Sequence, residues 1–211
     1  MAESIIQVDE KDNPIGPVDR YLAHTNDGVL HRGFMIVVKN YANQIYTARR
    51  AGERPDLKNF PAPFPYEWDV SIAGHPRWPV DDSRTQMCRE LEEELGLKVQ
   101  KDDVKIVGTF FYNSVDPAYP NEKYNMKVRE YEICEVAVVY TDQEPKPDPV
   151  ENDAGEWLAI DDVKKQVAAF ADKNIVTMPN GRIDIKNFTL EERMFTPWAV
   201  KAHQFYPQIY A

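Results

Sequence analysis

Between Ser83 and Gly96 the chain reads as one short amphipathic helix whose charges do more than solvate it. Met87, Leu91 and Leu95 recur every four residues and form an apolar packing stripe. Glu90, Glu93 and Glu94 stand three and four apart, so they are neighbours on one helical face. Charges that merely solvate a helix alternate in sign around it. Three carboxylates aimed at one point form instead a set of oxygen ligands for a hard cation. Ser83, with Gln86 three residues on, is expected to cap this helix, and Gly96 to stop it.

Strands are expected on both sides of the helix. Residues 5–9 and the turn formers Asn13-Pro14 and Gly16 predict an opening strand and hairpin. Residues 34–39 and 44–49 are apolar or β-branched runs around a polar turn, which predicts a strand pair. Further strands are expected over 69–73, 104–112, 129–140 and 155–160. In the 129–140 strand, alternation places Glu130 and Glu132 on one side. Four prolines between Ala51 and Tyr66 exclude a helix or central strand, and this stretch is expected to be a surface loop near the site. A helix is expected at 161–173, and another capped by Thr189 and Glu192 and ending near Gln204. Strands mixed with three helices predict an α/β fold, an α/β/α sandwich on a mixed sheet, in one domain spanning 1–211.

Composition limits the functions open to such a chain. A net charge of −10 over 211 residues opposes binding to a nucleic acid backbone. A small diphosphate is still admissible, because a metal and a few arginines reverse the potential inside one pocket. No apolar run is long enough for a membrane span, and the first residues carry no secretory signal, so a cytoplasmic location is expected. Two cysteines, Cys88 and Cys134, fit reduced structural thiols rather than a disulfide frame. The sequence carries no signal for an oligomeric state.

Residues 74–97 resemble the Nudix box. Arg89, Glu90, Leu91, Glu93, Glu94, Gly96 and Leu97 match its second half in full, whereas His75 and Asp81 stand where the box has its glycine and first glutamate. The departure is similar to type I isopentenyl-diphosphate isomerase, a Nudix-fold enzyme with a Gly-His-Pro that Gly74-His75-Pro76 reproduces. The resemblance runs over about residues 5–205. Ala23-His24-Thr25 with Leu30-His31, Glu130-Tyr131-Glu132, and Phe195-Thr196-Pro197-Trp198 match further motifs in the right order. One position differs in kind: the isomerases carry an acid–base cysteine before Gly-His-Pro, and this chain has Ala73. Alanine moves no proton. The combination with intact box glutamates resembles isomerase-like Nudix hydrolases.

The resemblance implies Mg²⁺ (or Mn²⁺) at Glu90, Glu93 and Glu94, with Arg89 orienting them through charge-assisted hydrogen bonds. It also implies a second site at His24, His31, His75, Glu130 and Glu132, whose imidazoles suit a transition metal. Glu93, Glu94 and Glu132 are the catalytic candidates, with Glu132 or Glu93 as the base. Arg50 and Arg54, beside Arg49, would grip the diphosphate, and Trp198 would cover the organic group. Tyr112 and Asp116-Pro117 would shape the pocket wall, and Trp68 is read as core. The implied activity is hydrolysis of a small organic or nucleoside diphosphate. Isopentenyl-diphosphate isomerisation and non-catalytic diphosphate sensing are the alternatives.

Overall fold

A computed structural model describes residues 4–57, 60–79, 82–177, 182–185 and 193–211. The strands are β1 (Ser4–Val8), β2 (Pro14–Asp19), β3 (His31–Lys39), β4 (Gln44–Arg50), β5 (Trp68–Asp69), β6 (Ile72–Gly74), β7 (Lys105–Val115), β8 (Arg129–Tyr140), β9 (Asn152–Ala159), β10 (Ile175–Thr177) and β11 (Arg182–Ile185). The helices are α1 (Arg20–Ala23), α2 (Ser83–Leu95), α3 (Ile160–Asn174) and α4 (Pro197–Phe205).

The central pair is β3 and β8, which run parallel from His31 opposite Glu132 to Lys39 opposite Tyr140. Both are apolar on two faces, as strands covered on both sides must be. Phe34, Ile36, Val38, Ala137 and Val139 meet Met87, Leu91 and Leu95 of α2 on one side. Met35, Val37, Val136 and Val138 meet Val163 and Val167 of α3 and Trp198 and Val200 of α4 on the other. This is the expected α/β/α arrangement on a mixed sheet, in the order β10-β11-β7-β8-β3-β1-β2 with β4, β5, β6 and β9 branching from it. The β1–β2 hairpin forms as expected.

Several expectations need correction. The two strands around the polar turn, β3 and β4, pair only at Lys39 and Ile45. Beyond the turn they diverge, β3 to β8 and β4 to β9, because each finds a longer partner elsewhere. The stretch 69–73 is broken into β5 and β6, with the Ser71 hydroxyl taking over as acceptor for the Val38 N–H. The cap of α2 is Asp82 rather than Ser83: its carboxylate accepts from the Arg84 N–H, and Ser83 is already helical. Gln86 is buried and accepts from Arg89 instead of closing a capping box. Gly96 does stop the helix, at φ 65°. The last helix begins at Pro197 and is capped by Thr196; Thr189 and Glu192 lie outside the described residues, as does Asp81. The short α1 and the pair β10–β11 were not foreseen.

The proline-bearing stretch 51–66, expected at the surface, is so only in part: Glu53, Pro55, Asp56 and Tyr66 are exposed, and other described residues turn inward. Ala51, Leu57, Ala62 and Phe64 are buried, and the Phe64 N–H donates to Asp116 at 2.5 Å. Proline is disfavoured within a central strand but packs well as an apolar residue, and Phe64 turns inward here against Trp198 of α4. Trp68 is half-buried, with the Arg193 guanidinium 3.6 Å from its ring centroid. No helix among the described residues is long and apolar enough to cross a membrane.

The helix that presents Glu90, Glu93 and Glu94 is held by its apolar stripe, so stability and charge are separable. Leu91 is fully buried. Leu91→Ala should lower unfolding stability by about 2–5 kcal/mol in urea titration, whereas Glu93→Gln, on the exposed face, should change it by less than about 0.5 kcal/mol.

Candidate functional site: a two-lobed cleft

Five residues far apart in sequence meet at the start of the parallel pair β3–β8. His31 opens β3 directly opposite Glu132, and Glu130 projects to the same side two residues earlier. His75 follows β6, which pairs with β3. His24 ends α1 and is tied to β8 by the Arg129 N–H donating to its carbonyl. One donor atom from each of the five residues lies within 4.8 Å of every other. Glu132 Oε1 is the hub, 3.1 Å from His31 Nε2, 2.8 Å from His75 Nε2 and 3.8 Å from His24 Nε2, while Glu130 Oε2 is 3.2 Å from His24 Nε2. The Tyr112 hydroxyl donates to Glu132 Oε2 at 3.0 Å.

The outer ring nitrogens point the imidazoles inward. His24 Nδ1 and His31 Nδ1 each lie 2.7 Å from a backbone carbonyl, of Arg20 and Val29, so Nδ1–H donates and Nε2 faces the cluster with a lone pair. Nε2 lone pairs aimed at buried carboxylates repel unless a proton or a cation lies between them. Without a metal, protons serve. Burial opposes a charge on His24, but Glu130 and Glu132 outweigh it and raise His24 to about 10. Burial, aided by the neighbouring His24 and His31, depresses His75 to about 3. Burial of Glu132 works against its charge, yet His75, His24 and His31 together hold it well below the usual carboxylate range. A three-nitrogen, two-carboxylate donor set of this kind suits a divalent transition metal.

The box carboxylates line a second lobe of the same cleft. Arg20, Arg50, Ala73 and Gly74 border both lobes; Arg54, Arg77, Glu90, Glu93, Glu94 and Glu151 border only the second. Gly74 is required at the junction, because a Cβ there would stand 2.8 Å from Glu90 Oε1 and 2.9 Å from its Cγ. Arg89 holds Glu90 at 2.9 Å and Glu93 at 2.5 Å, the orienting role expected of it. Asn152 donates to Glu94 at 3.1 Å. Burial, then Glu151 and Glu90, push the Glu94 carboxyl well above its ordinary value. Carboxylates crowded until one resists ionisation fit a hard divalent cation.

Among the arginines, the expectations divide. Arg50 faces both lobes, its Nε donating to the Pro63 carbonyl at 2.9 Å and its guanidinium 5.2 Å from the Trp198 ring. Arg54 lines only the box lobe, and its fork is engaged by Glu151 and by Asp56 at 2.8 Å. Arg49 turns outward to Asp153 at 2.6 Å, a half-exposed surface pair. Trp198 is buried and forms a wall of the cluster lobe, so it is both core and lining. Cys134, next along the inward face of β8 after Glu130 and Glu132, lines the same lobe; its thiol is pushed well up by burial and neighbouring carboxylates. Cys88 and Cys134 are both free thiols.

Sequence reasoning missed Glu151, Arg20 and Arg77. Glu151 sits in a loop before β9, where no periodicity marks it; the Lys146 and Asp148 N–H groups of that loop donate to the Leu95 and Glu94 carbonyls, which brings it opposite the end of α2. Arg77 directly follows His75-Pro76 and was open to notice; it lies 3.6 Å from Glu93.

A model of the NUDIX domain matches residues 29–178. The chain belongs to the NUDIX family. It is 33% identical over 165 residues to isopentenyl-diphosphate Delta-isomerase 1 of Photorhabdus laumondii, covering 78% of this chain and 84% of that one. It is 30% identical over 161 residues to an isopentenyl-diphosphate Delta-isomerase of Clavibacter michiganensis, covering 75% and 72%. The crystal structure of Deinococcus radiodurans DR0079 shares the fold with a TM-score of 0.57 and 21% identity over 79% of this chain and 90% of that one. NUDIX members of these kinds, hydrolases or isopentenyl-diphosphate isomerases, are enzymes that use divalent metals and act on small diphosphates.

The metal-free cluster keeps a proton on His24 below about pH 10, and an ion at the same Nε2 must displace it. Metal affinity should therefore rise with pH, by about tenfold per unit through neutrality for one proton released. Calorimetric titration of Mn²⁺ into the metal-free protein, in buffers of different ionisation enthalpy, should report about one proton released per ion; no release would contradict this protonation pattern.

Proposed function

We propose that the protein is a metal-dependent NUDIX hydrolase that cleaves a small organic or nucleoside diphosphate. The observation that carries this reading is Ala73 at the junction of the two lobes, beside a complete set of box carboxylates. The junction is where a diphosphate spanning both lobes would lie, and at Ala73 it has no group able to move a proton. Glu90 and Glu94 would hold Mg²⁺ or Mn²⁺ with Glu93 beside them, and His24, His31, His75, Glu130 and Glu132 a transition metal. When bound, such ions neutralise diphosphate charge and activate water.

The remaining work falls to the chain's own groups. Arg20 and Arg50 face both lobes, so guanidinium forks from either can meet phosphate oxygens along the length of the cleft. Of the two base candidates, Glu132 has Oε1 engaged by His31 and His75 and Oε2 by Tyr112, and its lowered pKa makes it a poor proton acceptor. Glu93 is 52% exposed along its side chain and stands at the edge of the box lobe, where water reaches it. We assign it the base role, with Glu94 as ligand and Glu132 as hub of the histidine site. Phe34, Pro63, Ala73 and Trp198 give the cluster lobe apolar walls, which suit an apolar organic group on the diphosphate.

A second reading, isopentenyl-diphosphate isomerisation, is supported by the names of the relatives and by Tyr112 and Cys134, proton-bearing groups that line the same lobe. The two readings separate in one assay. Isopentenyl diphosphate incubated with Mg²⁺ and Mn²⁺ should yield isopentenyl phosphate and inorganic phosphate by ³¹P NMR without moving its double bond by ¹H NMR. Dimethylallyl diphosphate as the product would replace hydrolysis with isomerisation.

Glu93→Gln and Glu94→Gln should each lower turnover by more than tenfold, a barrier increase above about 1.4 kcal/mol, with thermal unfolding of the metal-free protein nearly unchanged. His75→Ala should lose about one equivalent of bound transition metal by elemental analysis while retaining ions at the box helix.

A further inference from the structure

Asp69 is a fully buried carboxylate that touches neither lobe, yet its bonds lead to a wall of one of them. It ends β5, is 1% exposed, and accepts the Trp198 Nε1–H at 2.6 Å and the Val70 N–H at 2.7 Å, with the Thr196 hydroxyl as a further partner. Trp198 lies at the start of α4 in the cluster lobe. Its ring stands edge-on to Phe64, centroids 5.6 Å apart, and 6.1 Å from Tyr112, the residue bonded to Glu132. The Arg50 guanidinium lies 5.2 Å from the same ring. Backbone bonds already tie β5 to the segment before α4, from the Trp68 N–H to Met194 and from the Thr196 N–H to Trp68. They fix the chain but leave the indole free to tilt about its side-chain torsions. An apolar residue beside an indole would pack adequately, so a buried charge there calls for a reason beyond packing.

We infer that Asp69 is a positioning residue for substrate selection: by anchoring Trp198 Nε1 it holds the indole plane against the cluster lobe, where that plane meets the organic group of the diphosphate. The inference rests on the cleft reading above for its substrate, and on the 2.6 Å bond alone for its geometry. A carboxylate oxygen is an acceptor without a proton of its own, so the indole N–H has one place to donate. Burial pushes the Asp69 carboxyl up, and Arg50, 5.2 Å from the same ring, works with the Trp198, Val70 and Thr196 hydrogen bonds against that rise. Asp69 thus acts on recognition of the organic group and not on the diphosphate, which Arg20 and Arg50 meet.

Two probes separate these roles: methylenebisphosphonate, which presents only the diphosphate, and its monoester with a five-carbon alcohol, which adds a slender apolar group. In the metal-loaded protein, Asp69→Leu should weaken the monoester by about tenfold and leave the bare bisphosphonate within about twofold, and Asp69→Asn, which keeps an acceptor oxygen, should restore monoester binding to within about twofold. The ¹⁵N-indole resonance absent from Trp198→Phe identifies Trp198; it should shift in Asp69→Leu and stay near its wild-type position in Asp69→Asn. If Asp69→Leu does not fold, Asp69→Ser, too short to reach the indole, carries the same expectations. Equal losses for both probes, or no loss for either, would overturn the inference. If wild-type protein bound neither probe, the cleft reading would fall, and an indole resonance unmoved in Asp69→Leu would still overturn the anchoring role by itself.

Discussion

The convergence of three imidazole Nε2 atoms and two carboxylates at the start of β3 and β8 is the constraint around which the rest of the molecule is arranged. Five polar side chains, four of them almost completely buried, would be a severe liability in a packed interior unless their charges cancelled. Cancellation needs a cation, either the proton now shared with His24 or a metal in its place. The five residues come from four elements: α1, β3, the segment after β6, and β8, which contributes both Glu130 and Glu132. None of these elements can shift without opening the cluster. Parallel register between β3 and β8 puts His31 and Glu132 side by side, and the alternation that points their ligands inward also points Met35 and Val136 into the core a few residues later. Site and core are two stretches of one strand face.

The second carboxylate set depends on the first through Ala73 and Gly74. These residues end β6, lead into His75, and form the floor that both lobes share. Gly74 lets the backbone approach Glu90, so α2 and its glutamates stand against the strand that carries a histidine ligand. Arginines fill the space between: Arg89 on Glu90 and Glu93, Arg54 on Glu151 and Asp56, and Arg77 near Glu93. The lobes set four arginines, Arg20, Arg50, Arg54 and Arg77, among six glutamates, so the cleft is suited to bound cations as well as to guanidinium groups.

What was legible in the sequence followed from period and motif. The 3.6-residue period separated the packing face of α2 from its carboxylate face, and the two-residue period of β8 put Glu130 and Glu132 together; both descriptions match the structure. The histidines could not be joined by any period, because they lie on separate elements, and only resemblance to the isomerases grouped them. Composition is a partial guide in the stretch from Ala51 to Tyr66: prolines exclude a helix or central strand but do not imply exposure, and Phe64 is fully buried while Glu53 and Tyr66 are exposed. Asp82 and Ser83 are both good capping residues, so the choice between them rested on backbone geometry that sequence does not carry. Glu151 and Asp69 were invisible for a different reason: their importance comes from contacts across the fold, with Arg54 and with Trp198.

The central claim is that the histidine cluster and the box carboxylates are the two ends of one cleft that a single diphosphate spans. Anomalous scattering from crystals grown with Mn²⁺ and methylenebisphosphonate tests it most directly. The account requires one manganese peak among His24, His31, His75, Glu130 and Glu132, a second beside Glu90, Glu93 and Glu94, and bisphosphonate density between them over Ala73 within reach of Arg50. Manganese at only one end, or bisphosphonate bound away from Ala73, would contradict it.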